Sequence, residues 1–254
     1  MSEPTAERLK VIALFEGFRE EIDQYVDRRE RIIKISREIT LLSKRIIFSL
    51  HRLLVDHSAV TSEDARTTAL RKTDPQFAAV RAQFALIHGE LEGEALYWRF
   101  AKSISGGIQE YIEALSLAYY LEHCTLIPFS KVKESLKSED GTLFVPLTAE
   151  NYVLGVSDLT GELMRLVITS IGTQGTTLKQ VQDVGAFVRS CSADFDGIIP
   201  YVRELRDKQK TTNQSLQKIE SAAYGLSVRG AEYARFIDLR GTGNSYERAH
   251  EDEE

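Results

Sequence analysis

The sequence predicts an all-α fold, and three observations carry that prediction. Apolar residues return at alternating steps of three and four over long stretches, the spacing of a buried helix face. Strand-like alternation is confined to a few residues around Leu143 to Pro146. The punctuation suits helix ends, with Asp74-Pro75, Ser130 and Thr148 as starts and Gly106-Gly107 and Gly172 to Gly175 as breaks.

Taken in order, Ile32, Ile35, Ile39, Leu42, Ile46 and Leu53 mark one long helix over residues 27–55, with Ser49 as its polar interruption. Asp74-Pro75 opens a second, which carries Phe77, Val80, Phe84, Ile87, Leu91 and Trp98 on its apolar side. Two long helices in succession imply a bundle. A third helix, apolar nearly all round, covers 108–123 after the Gly106-Gly107 break, and Ser130 caps a short one that ends before Asp140-Gly141. Thr148 caps the next, residues 172–175 end it, and 178–189 and 201–226 read as two more. Residues 1–26 are expected to be partly helical and 27–238 to form a single helical domain. Residues 239–254, with two glycines and the acidic end Glu251-Asp252-Glu253-Glu254, read as a disordered tail.

The composition is that of an ordinary globular protein, 43% hydrophobic and 28% charged over 254 residues. No run approaches the eighteen or more apolar residues of a membrane span, and the first residues lack a signal-peptide pattern, so an intracellular protein without a membrane partner is expected. Cys124 and Cys191 have no metal-ligand or dithiol spacing and are expected to be reduced and buried. The adjacent His123 and Cys124 point about 100° apart on a helix and cannot form a nucleophile pair, so they read as core residues.

Two acidic pairs stand out against apolar surroundings. Glu110 and Glu113 are three apart, which places their Cβ atoms roughly 5–6 Å from one another on a helix. Asp158 and Glu162 are four apart on another helix. Burying acids is costly without a compensating charge, and four facing carboxylates are the oxygen set that Mg2+ or Mn2+ prefers. Without an ion, such a cluster should have raised pKa values. The alternative is ordinary ion pairing, for which Arg165, three residues after Glu162, is well placed. No general-base histidine stands beside either acidic block in the sequence.

On a helical wheel Lys34, Arg37, Lys44, Arg45 and Arg52 fall within an arc of about 100° opposite the isoleucine face. Such a stripe can follow a nucleic-acid backbone, or it can be the solvated side of an amphipathic helix. The net charge of −6 disfavours a free-standing nucleic-acid binder, so RNA would be held locally or with a more basic partner. Apolar flank residues Ile33, Ile47 and Leu54 suggest surface left for oligomerisation.

The chain resembles the translin family, and within it the translin-associated factor X (TRAX) branch. The residues that carry the resemblance are Arg31 to Thr40 with Ser43 to Arg52, Gly107-Ile108-Gln109-Glu110-Tyr111-Ile112-Glu113-Ala114, Tyr152 to Arg165, and Lys218 to Gly230. The translin branch lacks these acids. The resemblance implies a single elongated seven-helix bundle that joins translin in a hetero-octamer. It further implies a Mg2+-dependent endoribonuclease that cuts single-stranded RNA, including passenger-strand and precursor-tRNA fragments, in the cytoplasm and nucleus. Single-stranded DNA is an alternative ligand. The catalytic acids carried over are Glu110, Glu113 and Asp158, with Glu162 as a fourth ligand. A catalytically silent scaffold for translin, or a helical protein-interaction adaptor, are the competing readings.

Overall fold

The computed structural model describes residues 6–56, 63–171 and 176–247, with side chains described over 6–54, 66–171 and 176–229. Seven helices account for nearly all of it: α1 (Ala6–Asp56), α2 (Glu63–Glu90), α3 (Glu94–His123), α4 (Phe129–Ser135), α5 (Ala149–Ile171), α6 (Leu178–Ile198) and α7 (Leu205–Glu247). Among the described residues the only β-type pairing is one isolated antiparallel bridge between Lys137 and Leu143, next to the segment with strand-like alternation.

Several helix boundaries differ from those the sequence suggests, each for a physical reason. The first helix begins at Ala6, because good helix formers continue upstream of residue 27 with no proline or cap to stop them. Pro75 lies inside α2 and does not open it. Ala69, Thr73, Phe77 and Val80 are buried on one face across the proline, and that burial outweighs the missing backbone hydrogen bond. The Thr73 hydroxyl donates to the Leu70 carbonyl at 2.7 Å, in the turn before the proline. The break expected at Gly106-Gly107 falls instead at Gly93, whose φ of 94° suits glycine, so Trp98 belongs to α3 and is exposed. Pro128 rather than Ser130 precedes α4. Thr148 does open α5, its hydroxyl accepting from the Asn151 N–H at 3.1 Å. The α7 helix starts at Leu205, four residues after Tyr201, and runs through Glu247, well into the stretch whose composition suggests a tail. Residues 172–175 and 248–254 lie outside the described residues.

The chain forms two compact units, Met1–Leu50 with Thr68–Val156 and His51–Thr67 with Ser157–Glu254. In the first, Ile32, Ile39 and Ile46 of α1, Val80, Phe84 and Ile87 of α2, and Ile104, Ile108, Tyr111 and Ile112 of α3 are buried. The Phe84 and Tyr111 rings meet edge to face at 5.1 Å. Gly107 serves packing: a Cβ there would lie 2.9 Å from the Ser36 carbonyl oxygen, so α3 lies directly on α1. Gly155 does the same for α5, where a Cβ would lie 2.6 Å from that of Ile112.

In the second unit Leu159 and Leu163 of α5, Val181 and Val188 of α6, and Leu205 and Ile219 of α7 are buried. Gln209 of α7 donates to the Ser192 carbonyl and to Asp196 Oδ1 of α6, at 2.8 and 2.9 Å. The hydroxyls of Thr160 and Thr212, 3.1 Å apart, set the register of α5 on α7.

Surface expectations also change. Ile47 and Leu54 are buried and Ile33 is half-buried. Exposed apolar surface lies instead on the first turns of α1, at Val11, Phe15, Phe18 and Ile22 among others. Cys124 is exposed, not buried, and ends α3 with a left-handed φ of 55°, while Cys191 is buried as expected. His123 is exposed too, its ring stacked on Tyr119 at 4.0 Å.

Candidate functional site

Each acidic pair sits half-buried on its helix, Glu110 and Glu113 on α3 in the first unit, Asp158 and Glu162 on α5 in the second. Gly107, one turn before Glu110, lets α3 press on α1, and α1 carries Lys44. The Lys44 Nζ reaches Glu110 Oε2 at 3.7 Å, with the glutamate side chain only 19% exposed. On the other side of this part of α3, Gln109 donates to Ser105 Oγ at 2.9 Å, and Ser105 Oγ donates to Asn151 of α5 at 2.6 Å. The backbone that bears Glu110 and Glu113 is therefore held by packing and hydrogen bonds on both sides.

In the second unit Asp158 accepts a hydrogen bond from the ammonium of Lys208, in the first turn of α7. Glu162 accepts from the His51 imidazole, Nε2 to Oε2 at 2.6 Å, and pairs with Arg165 at 3.5 Å within its own helix. Burial pushes the Glu162 carboxyl up, but the hydrogen bond and charge of His51, then the charge of Arg165, hold it below the ordinary glutamate value. Two expectations are thereby corrected. A histidine does stand against one of the acids, brought there from the end of α1, and at Glu162 the carboxyl is lowered because the contacts with His51 and Arg165 outweigh desolvation.

Among the described residues no three His, Cys, Asp or Glu side chains are gathered in a metal-holding group. The chemistry of the donors nonetheless fits a hard cation. They are carboxylate oxygens, and each pair already draws an ammonium group, Lys44 at Glu110 and Lys208 at Asp158.

The basic residues of α1 all reach solvent: Lys34, Arg37, Lys44 and Arg45 in the first unit and Arg52 in the second. Phe48 is exposed between Arg45 and Arg52, at the three- and four-residue spacing of one helix face. Arg31, in contrast, is committed to Glu90 of α2 through two hydrogen bonds, at 2.6 and 3.1 Å.

The translin family model matches residues 27–230. The chain is 35% identical to translin-associated protein X of Pongo abelii, over 89% of this chain and 82% of that protein. It is 28% identical to the translin-associated protein X homolog of Schizosaccharomyces pombe, over 89% of this chain and 91% of that one. Translin of Gallus gallus is 28% identical over 63% of this chain and 69% of its own. Among solved structures, the crystal structure of apo-NeC3PO superposes with a TM-score of 0.61 at 19% identity, over 83% of this chain and 95% of that chain, a likeness of fold. The long first helix, the two acid-bearing helices and the extent of these matches agree, and the chain belongs to the translin family, on its translin-associated protein X branch.

Proposed function

We propose that this chain is the catalytic subunit of an endoribonuclease assembled with a translin-type partner, acting on single-stranded RNA in the cytoplasm and nucleus. The observation that carries the reading is the pairing of half-buried carboxylates with lysines on both acid-bearing helices, which marks Glu110 and Asp158 as places where a cation is held. Glu110 and Glu113 on α3, and Asp158 with Glu162 on α5, are the residues that would hold Mg2+, or Mn2+ in its place. When bound, the ion supplies Lewis-acid stabilisation of the phosphoryl oxygens and activation of water. The chain's own residues do the rest. Lys34, Arg37, Arg45 and Arg52 neutralise the RNA backbone, and the Phe48 ring offers a face on which a base can stack. His51 keeps Glu162 ionised and oriented. Hydrolysis then adds one water across one P–O bond, leaving a phosphate on one fragment and a hydroxyl on the other.

The same ion pairs also suit a second reading, a catalytically silent scaffold in which the acids are structural. A cleavage assay separates the two. The chain assembled with its translin-type partner should cut single-stranded RNA only when Mg2+ is present, and Glu113→Ala should abolish cutting while the assembly stays intact. Cutting at the parent rate by the folded, assembled Glu113→Ala protein would sink the catalytic reading, and absence of cutting by the parent assembly would favour the scaffold.

A further inference from the structure

We propose that Lys208 is the resident counter-cation of Asp158, a positioning residue whose charge competes with any divalent ion that binds the aspartate. The proposal rests on the reading of Asp158 as a Mg2+ ligand.

The pair is built into the packing of α5 on α7. Thr212, one turn after Lys208, bonds Thr160, two residues after Asp158, at 3.1 Å. Gln209, next to Lys208, is buried and tied to Ser192 and Asp196 of α6. The start of α7 is therefore fixed on both neighbouring helices, and the lysine stem leaves a defined point toward Asp158. Its side chain is 25% exposed and that of Asp158 34%, so the contact is partly shielded from water. Among the described residues the other lysine pairs lack this combination. Lys44 meets Glu110 at 3.7 Å with 62% of its side chain exposed, and Lys210 with Asp207 is an exposed pair within one helix.

A carboxylate oxygen engaged by an ammonium group has its most negative position taken. A divalent ion that coordinates Asp158 competes with the ammonium for Oδ2 or binds Oδ1 beside it, and the two positive charges repel most strongly where solvent screens them least. Lys208 thereby does two things. It keeps the aspartate oriented and compensated in the ion-free protein, and it raises the ion concentration at which the site fills.

The test is a Mn2+ titration followed by electron paramagnetic resonance on the chain assembled with its translin-type partner. Lys208→Met should bind Mn2+ about tenfold more tightly than the parent, because a competing charge is gone. Lys208→Arg should stay close to the parent, and Asp158→Asn should bind more weakly. If Asp158→Asn weakens binding while Lys208→Met leaves it unchanged or weaker, the role given to Lys208 is wrong and the reading of Asp158 as a ligand stands. If Asp158→Asn has no effect on Mn2+ binding, both are wrong. Should Lys208→Met fail to assemble, the parent itself gives the answer: with lysines carrying 13C-methyl labels, Mg2+ should shift the Lys208 resonance, and an unmoved resonance overturns the proposal.

Discussion

His51 and Glu162 lie 111 positions apart in sequence and meet at 2.6 Å between Nε2 and Oε2. The contact ties the end of α1 to α5 inside the second unit, and its consequence is a pH dependence of stability. The folded pKa of Glu162 lies below the unfolded value of about 4.5, so its contribution is fully present above that value and is lost as the pH falls through the folded pKa. Glu162→Gln removes the charge. It should lower unfolding free energy at neutral pH by about 1–3 kcal/mol, with the gap from the parent closing on acidification below the unfolded value. Urea denaturation at neutral and acid pH measures this, and a gap that stays constant with pH would contradict it.

The glycines of α3 and α5 divide by what surrounds them. Gly155→Val should destabilise by about 1–3 kcal/mol or more, since the new Cβ meets Ile112 and the Gln109 carbonyl, atoms of packed helices that cannot easily retreat. Gly161→Ala, in the same helix with no neighbour within 4 Å, should stabilise by about 0.4–1 kcal/mol. Thermal melts of both variants decide it. Equal effects would mean that helix propensity, not the close approach to α3, governs these sites.

These glycines also show what could be read from sequence and what could not. Helix type and number follow from local spacing, which is why the isoleucine series of α1 and the Thr148 cap are legible. Gly107 read as a break because its role depends on Ser36, 71 positions away, and no local pattern reports that distance. The same holds at the site. Adjacent carboxylates on one helix face are visible in the chain itself, whereas their partners, Lys44, Lys208 and His51, come from other helices. Pro75 misled in the opposite direction: a local preference for the first turn was outweighed by burial on both sides of it.

The exposed cations of α1 give a salt-dependent prediction. Lys34 and Arg37 are both exposed, unlike Arg31, which Glu90 holds. Replacing both by Ala should weaken single-stranded RNA binding across sequences and reduce the slope of log affinity against log salt by roughly 0.7 for each phosphate no longer neutralised. Filter binding at several salt concentrations provides the slope. An unchanged slope would return these residues to the role of a solvated helix face.

The two cysteines should differ in reactivity. Burial, with the nearby Asp194 charge second, pushes the Cys191 thiol up to about 11, so little thiolate forms at neutral pH and the sulfur is also out of reach. Cys124 is exposed at the end of α3. Iodoacetamide on the native chain should modify Cys124 alone, with Cys191 reacting only after denaturation, as mass spectrometry of peptides would show. Equal labelling of both in the native state would mean that the α6 face around Cys191 opens.

The hydrophobic repeat of α1 outruns the core that covers it. Val11, Phe18, Tyr25, Ile32, Ile39 and Ile46 recur every seven residues along α1, with Phe15 and Ile22 filling the intermediate positions. From Ile32 onward this seam is buried in the first unit, while Val11, Phe15, Phe18 and Ile22 of the same seam are exposed. Residues 6–24 are exposed throughout, so the packing that covers the rest of the seam is missing there. The polar side of this stretch carries Glu7, Glu16, Glu20, Glu21 and Asp23 against Arg8, Lys10 and Arg19, an acidic balance that disfavours an anionic lipid surface and suits another protein helix. Phe15→Asp with Phe18→Asp should therefore leave the stability of the isolated chain within about 0.5 kcal/mol, as surface changes do, yet reduce assembly with the translin-type partner. Light scattering on mixtures of the two proteins reads the assembly directly. An assembly formed by the double variant as readily as by the parent would place the partner contact elsewhere on the chain, and would leave this stretch of α1 to another helix.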